Sequence, residues 1–275
     1  MQTDPNKIID KAQDVSVSCL MVTLPLPERL VFAKRSIDDF CRQTLANKTL
    51  ILVLSGGVES VHHAIRDYVD SLGRNDIRIF TQPPEWNLGQ LRNFTLETAT
   101  SDVLCHWDDD DLYHPERLER QLDLLLKGNY EAVYLQEVMQ YFPASNVLYW
   151  TNWRATEAAA HPATLMVRRE TALEAIKYPT EGGTARLGED SVAARALIAR
   201  GSVGYLPAMP HLYVYVSHGA NSWHDEHHRM LADKLAISQA LLRRREAQIR
   251  DGMAPHGLSP NTVSVVGNNG PAFIL

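Results

Sequence analysis

Residues 103–115, VLCHWDDDDLYHP, place four consecutive aspartates directly after a short apolar run and before a proline that favours a helix start. Because successive side chains of a strand point to opposite faces, Asp108 and Asp110 would project together while Asp109 points away. Two neighbouring carboxylates repel each other, and a divalent cation that prefers oxygen ligands relieves this repulsion. An isolated acidic run is more often a solvated turn, but its place between a strand and a helix favours a metal site.

Strands and helices alternate before this stretch. Strands are predicted at 15–23, 49–54 and 77–81, and helices from Pro27, after Gly57 and over 88–98. This alternation is typical of a parallel sheet with helices on both faces. It loosens after residue 128, so the fold class is α/β with a central mixed, mostly parallel sheet flanked by helices.

The second half continues with shorter predicted elements. A helix from Pro115 ends at Gly128, and another helix spans 188–200. Strands are predicted at 132–136, 147–150, 163–168, 203–207 and 213–217. A long terminal helix is predicted at 225–250, and the tail from Gly252, rich in Gly, Pro, Asn and Ser, is predicted to be poorly ordered.

The composition is that of an ordinary globular protein of 275 residues, with a formal net charge of −6 and a pI near 6.0. The charge argues against a dedicated nucleic-acid binder, which usually carries a basic stripe. The cysteines Cys19, Cys41 and Cys105 are odd in number and lie in apolar patterns, which predicts reduced thiols and a cytoplasmic location. Residues 1–14 are too polar for a signal peptide, and no run reaches the roughly 18 apolar residues of a membrane span. Any membrane association would therefore be peripheral.

Two further groups of residues suggest chemistry. Glu189 and Asp190 open a predicted helix, where a carboxylate serves either as a cap or as a general base facing the metal site. In the histidine-rich segment 211–228, His218 or His224 would complete the metal shell or contact a phosphate. His227 and His228 are predicted to lie on a solvated helix face.

The order of these pieces resembles the family 2 glycosyltransferases of the GT-A fold, a Rossmann-like fold that binds nucleotide-diphospho-sugars. The resemblance covers most of residues 15 to about 225. The matching stretches are the strand ending at Thr23, NLGQLRN at 87–93, HWDDDD at 106–111, His114-Pro115, Gly188-Glu189-Asp190 and the loop 218–221.

The resemblance implies an inverting, hexosyltransferase-like enzyme that moves a sugar from a nucleotide-diphosphate sugar, preferably a UDP-sugar, to an acceptor hydroxyl. Asp190 would be the catalytic base with Glu189 beside it, and Asp110 would be the principal ligand of Mn²⁺ or Mg²⁺. The donor site would contain Thr23 at the base, Arg92 near the phosphates or the sugar, and Asp108 at the ribose or close to the metal. Ser55, Asn87 and Asp109 would also belong to it.

The acceptor is expected to be a saccharide or another hydroxyl compound, including a lipid-linked one, with His161 and Trp153 on the acceptor side.

The predicted transferase domain spans 1–224, with a donor half at 15–111 and an acceptor half at 112–224. Residues 225–275 would form a helix and a flexible tail. Tryptophans that would stack on a sugar ring are Trp86, Trp107, Trp150, Trp153 and Trp223. The sequence carries no indication of the oligomeric state.

One departure from the family pattern leaves alternatives open. Where the family has an acidic turn after its second strand, this chain has Ser55-Gly56-Gly57, and Glu59 is the nearest carboxylate that would replace it. A non-catalytic nucleotide- or sugar-binding module of the same fold is therefore an alternative. A nucleotidyltransferase is less favoured, because residues 23–27 lack a Gly-rich basic loop. The arginines at 243–245 would contact phosphates or an anionic membrane, but a solvated helix face is favoured for them.

Overall fold

The computed structural model describes residues 14–185, 188–219, 221, 224–258 and 261–275. Its first half alternates strands and helices as predicted. The elements are β1 (Val17–Thr23), α1 (Leu30–Cys41), β2 (Lys48–Ser55), α2 (Glu59–Ser71), β3 (Ile77–Gln82), α3 (Leu88–Thr98) and β4 (Val103–His106). Each strand is followed by a helix that crosses over to the next, which is the connection that parallel strands require.

The second half contains shorter elements: β5 (Leu112–Tyr113), α4 (Arg117–Lys127), β6 (Ala132–Leu135), β7 (Glu137–Phe142), β8 (Val147–Asn152), β9 (Met166–Arg168), α5 (Arg169–Ala175), α6 (Glu189–Arg200), β10 (Val203–Leu206) and β11 (Tyr213–Val216). The prediction missed β7, because the strand that it placed at 132–136 is followed at once by a second strand. The helix predicted from Pro115 begins at Arg117 and ends at Gly128 as expected.

The strands of the described chain form two sheets. The larger one has seven strands in the order β10-β6-β9-β4-β1-β2-β3, and it is mostly parallel, with β9 antiparallel to both of its neighbours. The predicted α/β class with a mixed, mostly parallel sheet is confirmed. Strands β5, β7, β8 and β11 belong to a second sheet.

The interior strand β2 shows why the large sheet forms. Leu50, Leu52 and Leu54 belong to the core on one face, Ile51 and Val53 belong to the core on the other, and all five are fully buried. A strand buried on both faces carries a continuous apolar run instead of an alternating one. Helices therefore cover both sides of the sheet, and the carboxyl ends of β1, β2 and β4 meet at one edge.

The C-terminal segment differs from its prediction. The expected single helix is divided into α7 (Asp225–Leu235), α8 (Gln239–Arg244) and α9 (Glu246–Met253), because Ser238 caps a new helix by accepting from Leu241 N–H. The expected flexible tail forms β12 (Ser264–Gly267) and β13 (Gly270–Ile274). Its Gly and Asn residues form the hairpin turn between these strands. The same residues had suggested a poorly ordered tail.

This C-terminal segment completes the second sheet, whose order is β13-β12-β8-β7-β11-β5. Strand β12 pairs in parallel with β8, and Val263, Val265 and Ile249 pack in one apolar cluster with Trp150 and Leu148. In the described part of the chain, no helix is long and apolar enough to cross a membrane. Cys19, Cys41 and Cys105 are free thiols, as predicted.

Candidate active site

A cleft of about 580 Å³ opens at the carboxyl edge of β1, β2 and β4. Ligands of open α/β sheets bind at this edge, because the loops that follow the strands converge there. Of the predicted site residues, those that line the cleft are Thr23, Ser55, Arg92, Asp108, Asp109, Asp110, Trp153, His161, Glu189 and Asp190. The tertiary structure therefore assembles most of the predicted site from six separate segments.

Asp108 is held by two basic side chains. Arg92 Nη2 donates to its Oδ1 at 2.7 Å, and His106 Nε2 lies 3.0 Å from the same oxygen. Burial opposes ionisation of this carboxyl, but His106 and Arg92 outweigh burial and hold the pKa of Asp108 well below its ordinary value. Asp108 is therefore an anion fixed in position at the floor of the cleft.

Asp109 and Asp110 share one arginine. Arg29 Nη2 donates to Oδ1 of Asp109 and lies 3.1 Å from Oδ2 of Asp110. Burial and the neighbouring Asp110 raise the pKa of Asp109 to about 7, although Arg29 acts in the opposite direction. The prediction that Asp109 points away from Asp110 was wrong, because β4 ends at His106 and strand alternation does not extend into the turn.

Asp111 has a structural place and does not cap a helix. It is fully buried, accepts a hydrogen bond from the Tyr213 hydroxyl and accepts another from Val216 N–H at 2.8 Å. Burial raises the pKa of Asp111 well above its ordinary value. Asp111 does not stand at the entry of a helix, because α4 begins only at Arg117. Asp111 instead connects the turn formed by residues 108–111, the aspartate turn, to β11.

Glu189 and Asp190 begin α6 and face the aspartate turn. Glu189 is buried, and its Oε1 lies 3.5 Å from Nε of Arg92, the same arginine that holds Asp108. Asp190 accepts from Ser191 N–H at 2.7 Å and lines the cleft. Burial and the charge of Glu189 raise the pKa of Asp190. A carboxyl with a raised pKa binds a proton more readily than an exposed one, as a general base must.

The predicted donor-binding residues differ in their surroundings. Thr23 is buried in the cleft wall, and its hydroxyl has no hydrogen-bond partner among the described residues. Ser55 donates to the carbonyl of Pro83 at 2.8 Å. Asn87 does not line the cleft; it forms a capping box with Gln90 at the start of α3. Of these three residues, Thr23 has the polar atom that is free for a ligand.

The turn after β2 explains the absence of an acidic residue there. Gly56 and Gly57 both have left-handed backbone angles, with φ of 65° and 74°. A Cβ on Gly57 would lie 2.2 Å from the carbonyl oxygen of Pro25, so this position accepts no side chain. Glu59 is 81% exposed in the first turn of α2 and does not replace the missing carboxylate in the cleft wall.

His161 and Trp153 form the opposite wall of the cleft. Their ring centroids lie 4.6 Å apart in an edge-on arrangement. Burial lowers the pKa of His161 to about 3, so its ring is neutral at physiological pH, and its Nδ1 has no partner among the described residues. Trp86 also lines the cleft, whereas Trp107 and Trp150 are core residues. Trp223 lies outside the described residues.

The histidine-rich segment is divided between the site and its surroundings. His218 Nε2 lies 3.0 Å from Oδ2 of Asp110, while His224 is exposed at the N-terminal boundary of α7. The predicted solvated face for His227 and His228 was wrong. Both residues line the cleft, and His228 is buried with its Nε2 3.2 Å from the Tyr215 hydroxyl. The missed signal is the helical spacing that places Leu231 on the same face as these two histidines.

Arg29 also lines the cleft, although it was not among the predicted site residues. This residue closes a single 3₁₀ turn, Pro27–Arg29, directly after β1, and its guanidinium reaches the aspartate turn 80 residues further along the chain. A basic residue in the loop that follows a parallel strand was the available signal, since such loops converge on the ligand edge of the sheet.

A divalent cation in this cleft would meet few protein ligands among the described residues. No group of three or more histidine, cysteine or acidic side chains suited to a metal occurs in the described part of the chain. Oδ2 of Asp110 and Nε2 of His218 converge, however, and one carboxylate with one imidazole is a usual partial ligand set. An ion held by so few protein ligands completes its shell with waters and substrate phosphates. Asp110 and His218 fit such an ion.

Solved structures with a similar fold have low sequence identity. The chain superposes on a mannosyltransferase from Pyrobaculum calidifontis, in complex with GDP-Man and Mn²⁺, with a TM-score of 0.57 and 14% identity, over 90% of this chain and 70% of that one. It superposes on TarS from S. aureus, in complex with UDP-GlcNAc, with a TM-score of 0.56 and 12% identity, over 89% of this chain and 68% of that one. These similarities establish the GT-A fold.

A sequence relative is an uncharacterized glycosyltransferase from Haemophilus influenzae. It is 24% identical over 115 residues, which are 42% of this chain and 45% of that protein, so the match spans less than half of the relative. The family model of glycosyl transferase family 2 matches residues 28–194, which include the aspartate turn and Asp190. Because the matched segment covers more than half of the chain, this protein belongs to glycosyl transferase family 2.

Proposed function

We propose that this protein transfers a sugar from a nucleotide-diphosphate sugar to an acceptor hydroxyl. The observation that carries the proposal is the meeting of the aspartate turn and Asp190 in one cleft at the carboxyl edge of the sheet. Such a cleft offers one wall to a donor and another to an acceptor. Membership of the family supports sugar transfer as the reaction class.

A UDP-sugar is the proposed donor. One solved relative of the same fold carries UDP-GlcNAc and another carries GDP-Man, which supports a nucleotide-diphosphate sugar as the class of donor. The base would enter beside Thr23, whose buried hydroxyl is free to pair with it. The Ser55-Gly56-Gly57 turn offers the base no carboxylate, so the polar atoms of Thr23 and the backbone would have to recognise it.

The charge of the cleft supports a metal requirement. Among the described lining residues there are six carboxylates and two arginines, a formal charge of −4 with the histidines counted as neutral. The charge stays negative, at −1, even when Asp109, Asp111 and Asp190, whose pKa values are raised, all bind protons. A diphosphate entering this field would be repelled unless a cation came with it. Asp110 and His218 would hold Mn²⁺ or Mg²⁺, and the bound ion would neutralise charge that develops on the leaving diphosphate.

Asp190 is the proposed general base. The acceptor oxygen would form its bond to the anomeric carbon as the bond from that carbon to the diphosphate oxygen breaks, and the hydroxyl proton would pass to the Asp190 carboxylate. One direct displacement inverts the configuration at the anomeric carbon. Arg92 would hold Glu189 in place beside the base and Asp108 in place at the donor, because it contacts both carboxylates.

A saccharide or another hydroxyl compound, including a lipid-linked one, is the proposed acceptor. Trp153 and the neutral His161 ring offer it an apolar surface with one free nitrogen. Aromatic faces suit the apolar faces of sugar rings. The buried His228 and Tyr215 extend this wall toward α7, and they would contact the part of the acceptor that is further from the reacting hydroxyl.

The test is a transfer assay on the purified protein with UDP-sugars and GDP-mannose, Mn²⁺ and a panel of saccharide and polyprenyl-phosphate-linked acceptors. Release of the nucleoside diphosphate together with a glycosylated product supports the proposal. The rival is a non-catalytic binding module of the same fold, which the missing acidic turn favours. Donor binding without transfer or hydrolysis across the panel would favour that module.

A further inference from the structure

The positive charge that contacts the aspartate turn is the guanidinium of Arg29. Arg29 Nη2 contacts Asp109 Oδ1 and lies 3.1 Å from Asp110 Oδ2, and Arg29 Nε lies 3.4 Å from Asp109 Oδ2. The side chains of Arg29, Asp109 and Asp110 are 17%, 3% and 14% exposed. We call this contact the Arg29 bridge. Its partial burial makes it stronger than an ordinary surface ion pair.

The Arg29 bridge uses the oxygen that a metal ion would need. Oδ2 of Asp110 accepts from Arg29 and also lies 3.0 Å from Nε2 of His218. A divalent ion bound between Asp110 and His218 would lie within a few ångströms of the guanidinium. Two positive charges at that separation repel strongly in a partly buried site. The ion and the guanidinium therefore compete for one carboxylate.

The backbone that carries Arg29 is fixed, while its side chain is long enough to move. Arg29 N–H donates to the Leu26 carbonyl at 3.0 Å, and Pro27 starts the turn with its φ already restricted. Asp109 is held almost fully buried beside it. Loss of the contact to Asp110 would leave the guanidinium on Asp109, so an exchange of cations requires only a side-chain movement.

We propose that Arg29 is a resident counter-cation which a divalent ion must displace from Asp110, and that Arg29 thereby sets the metal affinity of the site. The inference deepens the proposed function, because it concerns the same cleft and the same ion. Its consequence is specific: removing the positive charge of Arg29 makes the free protein bind the metal more tightly.

The experiment measures Mn²⁺ binding to the 275-residue chain by electron paramagnetic resonance, with no nucleotide or sugar present. Arg29→Gln is expected to bind Mn²⁺ about tenfold more tightly than the wild type, because a unit positive charge near the ion is removed. Arg120→Gln is the matched control, since Arg120 pairs with Glu116 on the exposed face of α4. This control should bind Mn²⁺ as the wild type does.

Two further variants complete the test. Arg29→Lys keeps the charge without the planar fork that spans two carboxylates, and it is expected to lie between the wild type and Arg29→Gln. Asp110→Asn in the Arg29→Gln background should abolish the gain. Equal or weaker Mn²⁺ binding by both folded Arg29 variants overturns the proposal, and so does a gain that survives Asp110→Asn.

The outcome is separate from that of the proposed function. The titration contains neither donor nor acceptor, so a protein that transfers no sugar can still show the exchange of cations. Conversely, if the wild type transfers sugar but Arg29→Gln binds Mn²⁺ with unchanged affinity, the role of Arg29 is refuted and the proposed function is not. If neither the wild type nor Arg29→Gln binds Mn²⁺, the role proposed for Arg29 is refuted as well.

Discussion

His218 Nε2 lies 3.0 Å from Oδ2 of Asp110, although 108 residues separate the two positions in the chain. Asp110 follows β4 of the large sheet, and His218 follows β11 of the second sheet. The contact therefore joins the two halves of the fold at the point where the proposed metal would bind. Under the proposed function, the second sheet would therefore contribute to the donor side of the cleft as well as to the acceptor side.

We predict that Asp110→Asn weakens metal-dependent donor binding by about tenfold or more, since the neutral amide loses the charge that attracts the ion. The affinity for a nucleoside diphosphate should be measured by calorimetry with Mn²⁺ and with a chelator. Asp123→Asn on the exposed face of α4, where Asp123 pairs with Lys127, is the control. A Mn²⁺-dependent gain in affinity as large as that of the wild type would contradict the assignment.

Asp190→Asn should lower kcat by about 10²–10⁴-fold, the usual contribution of a general base. Donor affinity should remain within about twofold of the wild type, because the exchange preserves the shape of the side chain. The donor would also bind at the aspartate turn and not at Asp190. Single-turnover transfer and equilibrium donor binding must both be measured. Loss of donor binding in this variant would remove Asp190 from the role of base.

Asn87→Ala distinguishes a helix cap from a donor contact. Loss of the capping box at the start of α3 should lower the free energy of unfolding by about 1 kcal/mol. Donor affinity should not change, because Asn87 does not line the cleft. Urea denaturation and donor titration of the same preparation give both quantities. Weaker donor binding with unchanged stability would restore Asn87 to the donor site.

Gly57→Ala should destabilise the protein more than Gly73→Ala. Both glycines have left-handed backbone angles, with φ of 74° and 60°, so both substitutions carry a similar strain of about 1 kcal/mol. Only at Gly57 would the added Cβ also overlap the Pro25 carbonyl; at Gly73 it would meet open space. The expected additional loss is about 1–3 kcal/mol in urea denaturation. Equal losses would mean that the turn relaxes freely.

The buried His256 should make stability depend on pH. Burial lowers the pKa of this ring from 6.5 to about 3, so below pH 6.5 the unfolded chain takes up a proton that the folded chain refuses. The stability contributed by His256 is therefore complete above pH 6.5 and falls as the pH drops toward 3. The loss is at most about 1.4 kcal/mol per pH unit.

Other buried groups titrate in the same range, so the measurement has to isolate this ring. The free energy of unfolding should be compared between the wild type and His256→Gln from pH 8 to pH 5. The difference in favour of the wild type should become smaller as the pH falls. The exposed His63→Gln is the control for removing a histidine as such. A difference that stays constant or grows toward pH 5 would contradict the prediction.

The alternation of elements along residues 15–128 was predictable because it depends on local periodicity. The apolar run of β2 and the helical spacing of Leu118, Leu122 and Leu125 in α4 are properties of neighbouring residues. The same holds for the position of the aspartates after β4, and for the order of motifs that resembles the family. The prediction was wrong where it relied on amino-acid composition instead of periodicity, as in the tail that forms β12 and β13.

By itself, the sequence determined the α/β class, the edge of the sheet at which the site lies and the acidic residues that belong to it. Only the tertiary structure decided which hydrogen-bond donor each carboxylate meets: Arg92 for Asp108, Arg29 for Asp109 and Asp110, and Tyr213 for Asp111. Side-chain alternation within a strand is a local property of the backbone, and it ends where β4 ends. The partners come from loops that the strand order brings together, and no spacing along the chain records that order.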